Sequence, residues 1–179
     1  EFLLPYAELN VLVGLDFYLG ASGRYLGQLA ASMARWDEAE AHFEHALDLD
    51  ERTGAQVWLA HSRYQYGRML LARDRTGDRE RARQLTALAL ATSRELGLSG
   101  LAARIVVTNL RLNAFNPADK DIAAFRTAYP DNDTEMAEFE LERGNAFFRQ
   151  KDYVRALKSF QNVTSSYEET PSAPTAMFW

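Results

Sequence analysis

The sequence predicts an all-α protein, a right-handed α-solenoid of about four helix-turn-helix hairpins. Three observations predict it. The five prolines stand at Pro5, Pro117, Pro130, Pro171 and Pro174, which leaves residues 6–116 and 131–170 free of helix breakers. Residues 35–50, RWDEAEAHFEHALDLD, place Ala39, Phe43, Ala46 and Leu47 at the i, i+4, i+7, i+8 spacing of a buried helical stripe. The interval from Gly27 to Ala39 recurs from Gly144 to Ala156. An aromatic (Trp36, Tyr153) precedes each alanine and a phenylalanine (Phe43, Phe160) follows it, at matching offsets. Self-similarity of this kind is the signature of stacked repeats.

The elements follow in order. Residues 1–15 carry Phe2, Leu3, Leu4, Leu9, Val11, Leu12 and Val13 without a clean period and are interrupted by Pro5 and Gly14. They are expected to form a short helix or an extended cap on the first hairpin, with one stray strand as the alternative. The first hairpin spans 16–53. Its leading helix, over 19–34, shows Leu26, Gly27, Leu29, Ala30 and Met33 on an apolar face, and its second is expected to be capped by Asp37 with Glu40 three residues on. Thr53 and Gly54 are its stop signal.

The second hairpin spans 56–97. Trp58, Leu59, Ser62, Tyr66, Met69 and Leu70 lie in its first helix, 74–77 form the turn, and Ala82, Leu85, Leu88, Ala89 and Thr92 point inward before Gly97. The third, 99–130, is weaker: Leu101, Ile105 and Leu112 share a face, Asn116 and Pro117 are expected to start the next helix with the proline at its first position, and Ile122, Phe125 and Tyr129 precede Pro130. In the fourth, 135–168, Phe139, Ala146 and Phe147 lead to a second helix capped by Asp152 and carrying Ala156, Phe160 and Val163. Residues 171–179 read as the start of a truncated further helix.

The set Leu26, Gly27, Trp36, Ala39, Phe43 and Ala46, met again by Gly144, Phe147, Tyr153, Ala156 and Phe160, is similar to the tetratricopeptide repeat. The second hairpin matches through Tyr66, Gly67 and Ala82, with Thr86 in place of the aromatic and an insertion at 75–77. The third matches through Ile105, Phe115, Ala118, Ile122 and Pro130 alone. Residues 24–98 resemble the repeat regions of bacterial signalling ATPases, transcription regulators and nucleotide cyclases. Residues 118–179 resemble repeats of bacterial envelope proteins such as the Tol-Pal-associated and outer-membrane-assembly factors. Composition changes between the halves: up to Leu98 every Lys/Arg position is arginine and Asn10 is the sole asparagine, whereas Lys120, Lys151, Lys158 and six asparagines follow. Drift along one array is the preferred reading, and a fusion of two parents the alternative.

Bulk composition narrows the function. With 47% hydrophobic and 25% charged residues the chain has the make-up of a globular domain. A formal net charge of -5 opposes general nucleic-acid binding, which needs a basic stripe to displace phosphate counterions. Cysteine is absent, which removes disulfides, thiolate metal sites and a cysteine nucleophile. No run approaches the ~20 apolar residues of a membrane span. The stretch 11–19 is broken by Asp16, so no membrane insertion is expected. A cytoplasmic location is the preferred reading and a periplasmic one the alternative. The sequence starts at Glu1 rather than Met and has no basic segment before an apolar one, so no signal peptide is expected, and both ends read as cuts in a longer chain.

No constellation suggests catalysis. His42 and His45 share a helix side with Glu38, but a solvated polar face is the preferred reading over a metal site. His61 lacks a serine and acid at triad spacing. Gly20, Gly23 and Gly27 read as helix-packing glycines. No cofactor or metal is expected. A stacked array offers instead a concave surface lined by first helices. In the repeat register that surface carries Arg24, Tyr25, Gln28, Tyr64, Gln65, Arg68, Arg104, Val107, Arg111, Asn145, Phe148 and Arg149. Five arginines there reverse the sign of an acidic protein, and arginine forks suit carboxylates. The expected role is a non-enzymatic protein-interaction scaffold for an acidic peptide, a free C-terminus or a partner helix. Pairing of these arginines with Glu138, Glu142 or Asp16 is the competing reading. Self-association through the apolar end at 176–179, a regulatory segment of a larger bacterial signalling or transcription-regulator protein, and an artificial chimera are the further alternatives.

Overall fold

The structure, a computed structural model, describes residues 4–6, 8–13, 17–111 and 115–178. Among them are nine α-helices and one two-stranded sheet, so the class is helical as expected. The chain divides into two compact units, Glu1–Leu98 and Ser99–Trp179. The change in lysine and asparagine usage falls at the same point.

The first unit opens with a β-hairpin, β1 (Asn10–Val13) antiparallel to β2 (Phe17–Ala21), with Leu12 opposite Tyr18 and an irregularity between Asn10 and Leu12. This corrects the expectation of a helical or extended cap with at most one strand. It also moves the start of the first helix from residue 19 to Ser22. Valine, phenylalanine and tyrosine favour the pleated backbone, and long-range bonds hold it in place. Ser22 Oγ donates to the Leu9 carbonyl at 2.8 Å, and the Ala21 N–H donates to Asp50 Oδ1 at 3.1 Å. Gly20 therefore lies in β2 against Trp58 and is not a helix-packing residue. The expected boundary at residues 15 and 16, Phe2, Leu3 and Gly14 fall outside the described residues.

Four helices follow: α1 (Ser22–Ser32), α2 (Trp36–Arg52), α3 (Gln56–Arg73) and α4 (Asp78–Glu95). A Cβ added at Gly27 would stand 2.9 Å from the Phe43 ring, and one at Gly23 2.7 Å from the His42 carbonyl. The missing side chains thus set how closely α1 and α2 approach. Ala39, Phe43, Tyr66, Met69, Leu70 and Ala82 form the core, with the Phe43 and Tyr66 rings stacked at 5.5 Å and 7°.

Three local expectations are corrected here. Asp37 does not cap α2, because the helix starts at Trp36 behind Arg35; its carboxylate meets Arg75 at 2.7 Å instead. Leu29 and Met33 are exposed, since the apolar face of α1 is wider than the neighbours covering it. Leu88 is exposed too, one step out of the buried row Ala82, Thr86, Ala89 and Ser93.

Structural repetition is visible in the turns. Ala34, Asp74 and Lys151 have φ of 56°, 51° and 62°, and they follow Gly27, Gly67 and Gly144 at one identical interval. α1, α3 and the helix Asp133–Arg149 are therefore each followed by a left-handed residue before the next helix begins, although none of the three is glycine. Gly54 and Gly97, with φ of 67° and 68°, close α2 and α4 as the stop signals predict.

The second unit holds α5 (Ser99–Arg111), α6 (Phe115–Ala128), α7 (Asp133–Arg149), α8 (Tyr153–Ser166) and the single turn α9 (Ala173–Ala176). α6 begins at Phe115, so Pro117 is its third residue and not its first as expected. Against the helix pair before it, α7 packs more on α5 than on α6, whereas in the first unit α3 packs more on α2 than on α1. Phe125 and Phe139 meet edge to face at 5.1 Å. Asp152 caps α8 as expected, Oδ1 accepting the Arg155 N–H at 3.1 Å. Gly144 lies so close to Phe160 that any side chain there would collide with the ring. Ala173 and Ala176 are buried with Ala156, Phe160 and Val163. The expectation of an uncovered apolar end is thereby corrected for Ala176, while Met177 and Phe178 are exposed. Leu112 and Trp179, and the side chains of Phe115 and Pro117, lie outside the described set.

Candidate functional site

Among the expected surface residues of the first unit, three come together. Gln28 projects from α1, and Gln65 and Arg68 from α3, onto a groove of about 250 Å³ whose wall also includes Trp36, Phe43 and Met69. The geometry follows from helix periodicity: Gln65 and Arg68 share a side of α3 at i, i+3, and Gln28 stands across from them on α1. Arg68 is exposed, its Nη1 donates to Gln65 Oε1 at 3.4 Å, and its guanidinium lies 5.8 Å from the Tyr64 ring centroid. Among the described residues it makes no ion pair. The site is thus a slot with an aromatic and thioether floor, two amides and one uncommitted cation at its rim.

The other expected residues of this unit do not line the slot. Arg24 is 5% exposed; Nη2 donates to the Leu19 carbonyl at 2.6 Å and to the Tyr25 hydroxyl at 2.7 Å. Its guanidinium stands 4.5 Å from the Tyr25 ring and 4.8 Å from that of Trp58. That environment ties the β-hairpin to α1 and α3 and takes Arg24 off the ligand-facing surface. Tyr64 is buried as well. Gln28 Nε2 donates to the Arg24 carbonyl at 3.3 Å, which orients its amide at the groove mouth. Trp36, Phe43 and Met69 read as core from their repeat positions. Nothing in their spacing showed that one edge of that core opens to solvent.

A buried ionic network ties α3, which carries Gln65 and Arg68, to α2 and α4. Arg73, at the end of α3, holds Glu40 of α2 at 2.6 Å and Asp78 of α4 at 2.8 Å, and the Tyr66 hydroxyl donates to Glu40 Oε1 at 2.9 Å. Arg73 holds the Asp78 and Glu40 carboxyls below their ordinary range, and those two acids together raise the arginine. Burial, followed by the bond to Glu40, pushes the Tyr66 hydroxyl up, so it stays a neutral donor. Asp50 is the opposite case. Fully buried, it accepts from Ala21 N–H and from Ser62 Oγ at 2.7 Å, yet burial pushes its pKa up.

In the second unit the expected residues are distributed differently. Val107 is buried, and Arg111 pairs with Glu142 at 2.7 Å, the outcome the competing reading anticipated for it. Arg104 and Arg149 are exposed, Asn145 is half-buried, and Phe148 meets Tyr153 edge to face at 5.4 Å. The larger groove of this unit, about 600 Å³, lies elsewhere, among Asp119, Glu140, Arg143, Arg155, Lys158 and Asn162. Arg143 spans it, bonded to Asp119 at 2.6 Å and Glu140 at 3.0 Å. The polar row on α8 was the only sequence signal for it.

The histidines do not converge. His45 Nε2 lies 3.3 Å from Glu8, and burial lowers the His42 pKa. No group of three potential metal ligands forms among the described residues. No helix among them is long and apolar enough to cross a membrane. Neither a scan against protein-family models nor a search of curated proteins matches this chain.

Proposed function

We propose that this chain is a non-enzymatic interaction module of tetratricopeptide-like repeats whose first unit binds a carboxylate-bearing peptide in the slot between α1 and α3. The observation that carries the reading is the Gln28, Gln65 and Arg68 rim: two amides able to bond a peptide backbone beside an arginine that makes no ion pair among the described residues. A guanidinium in that state binds a carboxylate in a paired, charge-assisted geometry, which an internal ion pair would forbid. The apolar floor adds contact area for one side chain of the peptide.

The test is fluorescence anisotropy against a panel of labelled acidic peptides, each with a free or an amidated C-terminus. Binding by the parent chain should fall by at least about tenfold in Arg68→Glu, since a charge-assisted bond of about 1.5–3 kcal/mol becomes a repulsion. Helicity should not change, because Arg68 is exposed. Equal affinity of parent and variant for every peptide would overturn the proposal. A preference for free over amidated termini would identify the chain end as the recognised group.

A further inference from the structure

We infer that the groove of the second unit, walled by α6 and α8 over α7, is a binding site for a phosphoryl group held by a row of donors on α8. The inference goes beyond the peptide slot and rests on the other unit. The repeat register makes the two units comparable at this place. Asp119 follows Ala118 as Glu40 follows Ala39, and Arg143 precedes Gly144 as Tyr66 precedes Gly67. The contact between these positions is kept in space: Asp119 meets Arg143 at 2.6 Å, where Glu40 accepts from the Tyr66 hydroxyl at 2.9 Å.

What differs is the bridge beside that contact. In the first unit Arg81 of α4 lies 5.1 Å from the Tyr66 ring centroid and reaches across to Glu44 of α2 at 2.8 Å. Arg155 stands before Ala156 as Arg81 does before Ala82, and it too lies over a ring, that of Phe147 at 4.5 Å. The position of Glu44, however, is held by the exposed, uncharged Ala123. On the same scale Gln84, Leu85 and Leu88 of α4 are replaced on α8 by Lys158, Ser159 and Asn162. All three line the groove of about 600 Å³, and at three, four and seven residues from Arg155 they share one side of the helix. The second unit has thus lost an acid and gained a cation and two neutral donors.

Those donors are available. Ser159 is 6% exposed, yet among the described residues its hydroxyl makes no hydrogen bond, and Lys158 makes no ion pair among them. A buried hydroxyl without a partner is unfavourable, and an anion in the groove would supply one. Asn162 Oδ1 accepts from Ser166 Oγ at 3.0 Å, which leaves its N–H groups. Arg155 holds Asp152 through Nε and Nη2, each at 2.6 Å, which leaves Nη1. The acids that line the groove, Asp119 and Glu140, are both engaged by Arg143. A phosphomonoester carries close to two negative charges and three strong acceptor oxygens. That suits a guanidinium, an ammonium, a hydroxyl and an amide in one row better than the two oxygens of a carboxylate do.

Amide spectra of the full chain test this by titration with inorganic phosphate and with a serine peptide in phosphorylated and unphosphorylated forms, sodium chloride at matched ionic strength being the control. Saturating shifts at Lys158, Ser159 and Asn162 are expected with phosphate and the phosphorylated peptide, and none with chloride or the unphosphorylated peptide. Lys158→Glu should weaken binding at least about tenfold, since an attraction becomes a repulsion. Ala123→Glu, which restores an acid opposite Arg155, should weaken it comparably. Both positions are exposed, so helicity should not change. Arg68→Glu should leave these shifts unaltered, which separates this site from the peptide slot. Tighter binding of the phosphorylated peptide than of phosphate would place the group on a polypeptide, and equal affinity would assign the site to the phosphate group alone. Absence of saturating shifts with either phosphate probe, or equal affinity in the parent, Lys158→Glu and Ala123→Glu, would overturn the inference.

Discussion

At the residue scale the turn positions and the buried acids carry the sharpest expectations. Ala34 sits at φ 56°, a conformation that costs an L-residue with a Cβ about 1 kcal/mol relative to glycine. Ala34→Gly should accordingly stabilise the chain by about 1 kcal/mol in urea denaturation, less whatever the unfolded state gains in freedom. Asp50 calls for a pH argument. Burial raises its folded pKa, so its contribution to stability is complete below the ordinary carboxylate range and is lost as pH rises through the raised value. Asp50→Asn keeps an oxygen for the Ala21 N–H and offers an N–H to Ser62 Oγ. It should leave stability at neutral pH unchanged or higher and flatten its decline with rising pH, as read by thermal unfolding across a pH series. Arg24 shows why single positions are hard to read in a sequence. Its stacking on Trp58 depends on a contact between α1 and α3, which no local spacing reveals.

At the element scale, the ion network of Arg73 decides how α2, α3 and α4 are locked. Arg73→Met would leave Glu40 and Asp78 facing each other without their cation, and removal of one member of a buried pair costs about 3–5 kcal/mol. Because Arg73 lowers both acids, their contribution is present above the ordinary carboxylate range and lost as pH falls through their lowered values. The variant should therefore melt lower at neutral pH and converge with the parent in acid. The helices themselves were legible, because rows such as Ala39, Phe43 and Ala46, or Ala156, Phe160 and Val163, can only be buried along one side of a helix. The β-hairpin was not. Its strands are short, their apolar residues do not alternate cleanly, and their hold comes from Asp50, distant in sequence. Nor was the exposure of Leu29 and Met33, since an apolar stripe does not say how much of its width a neighbour covers.

At the scale of the whole molecule, two units use one turn geometry and different packing. Left-handed Ala34, Asp74 and Lys151 recur at one interval, yet α7 leans on α5 where α3 leans on α2. Only part of the expected surface is exposed. Gln28, Gln65 and Arg68 converge, Arg24, Tyr64 and Val107 turn inward, and Arg111 is neutralised by Glu142. The repeat register placed Gln28, Gln65 and Arg68 on facing sides of α1 and α3, but burial and ion pairing of the other expected residues could not be read from spacing. A two-dimensional amide spectrum of the chain, titrated with the tightest peptide of the acidic panel, tests the central claim most directly. The account predicts shifts centred on Gln28, Gln65 and Arg68 that vanish in Arg68→Glu. Shifts confined to residues beyond Leu98, or shifts that survive in that variant, would contradict it.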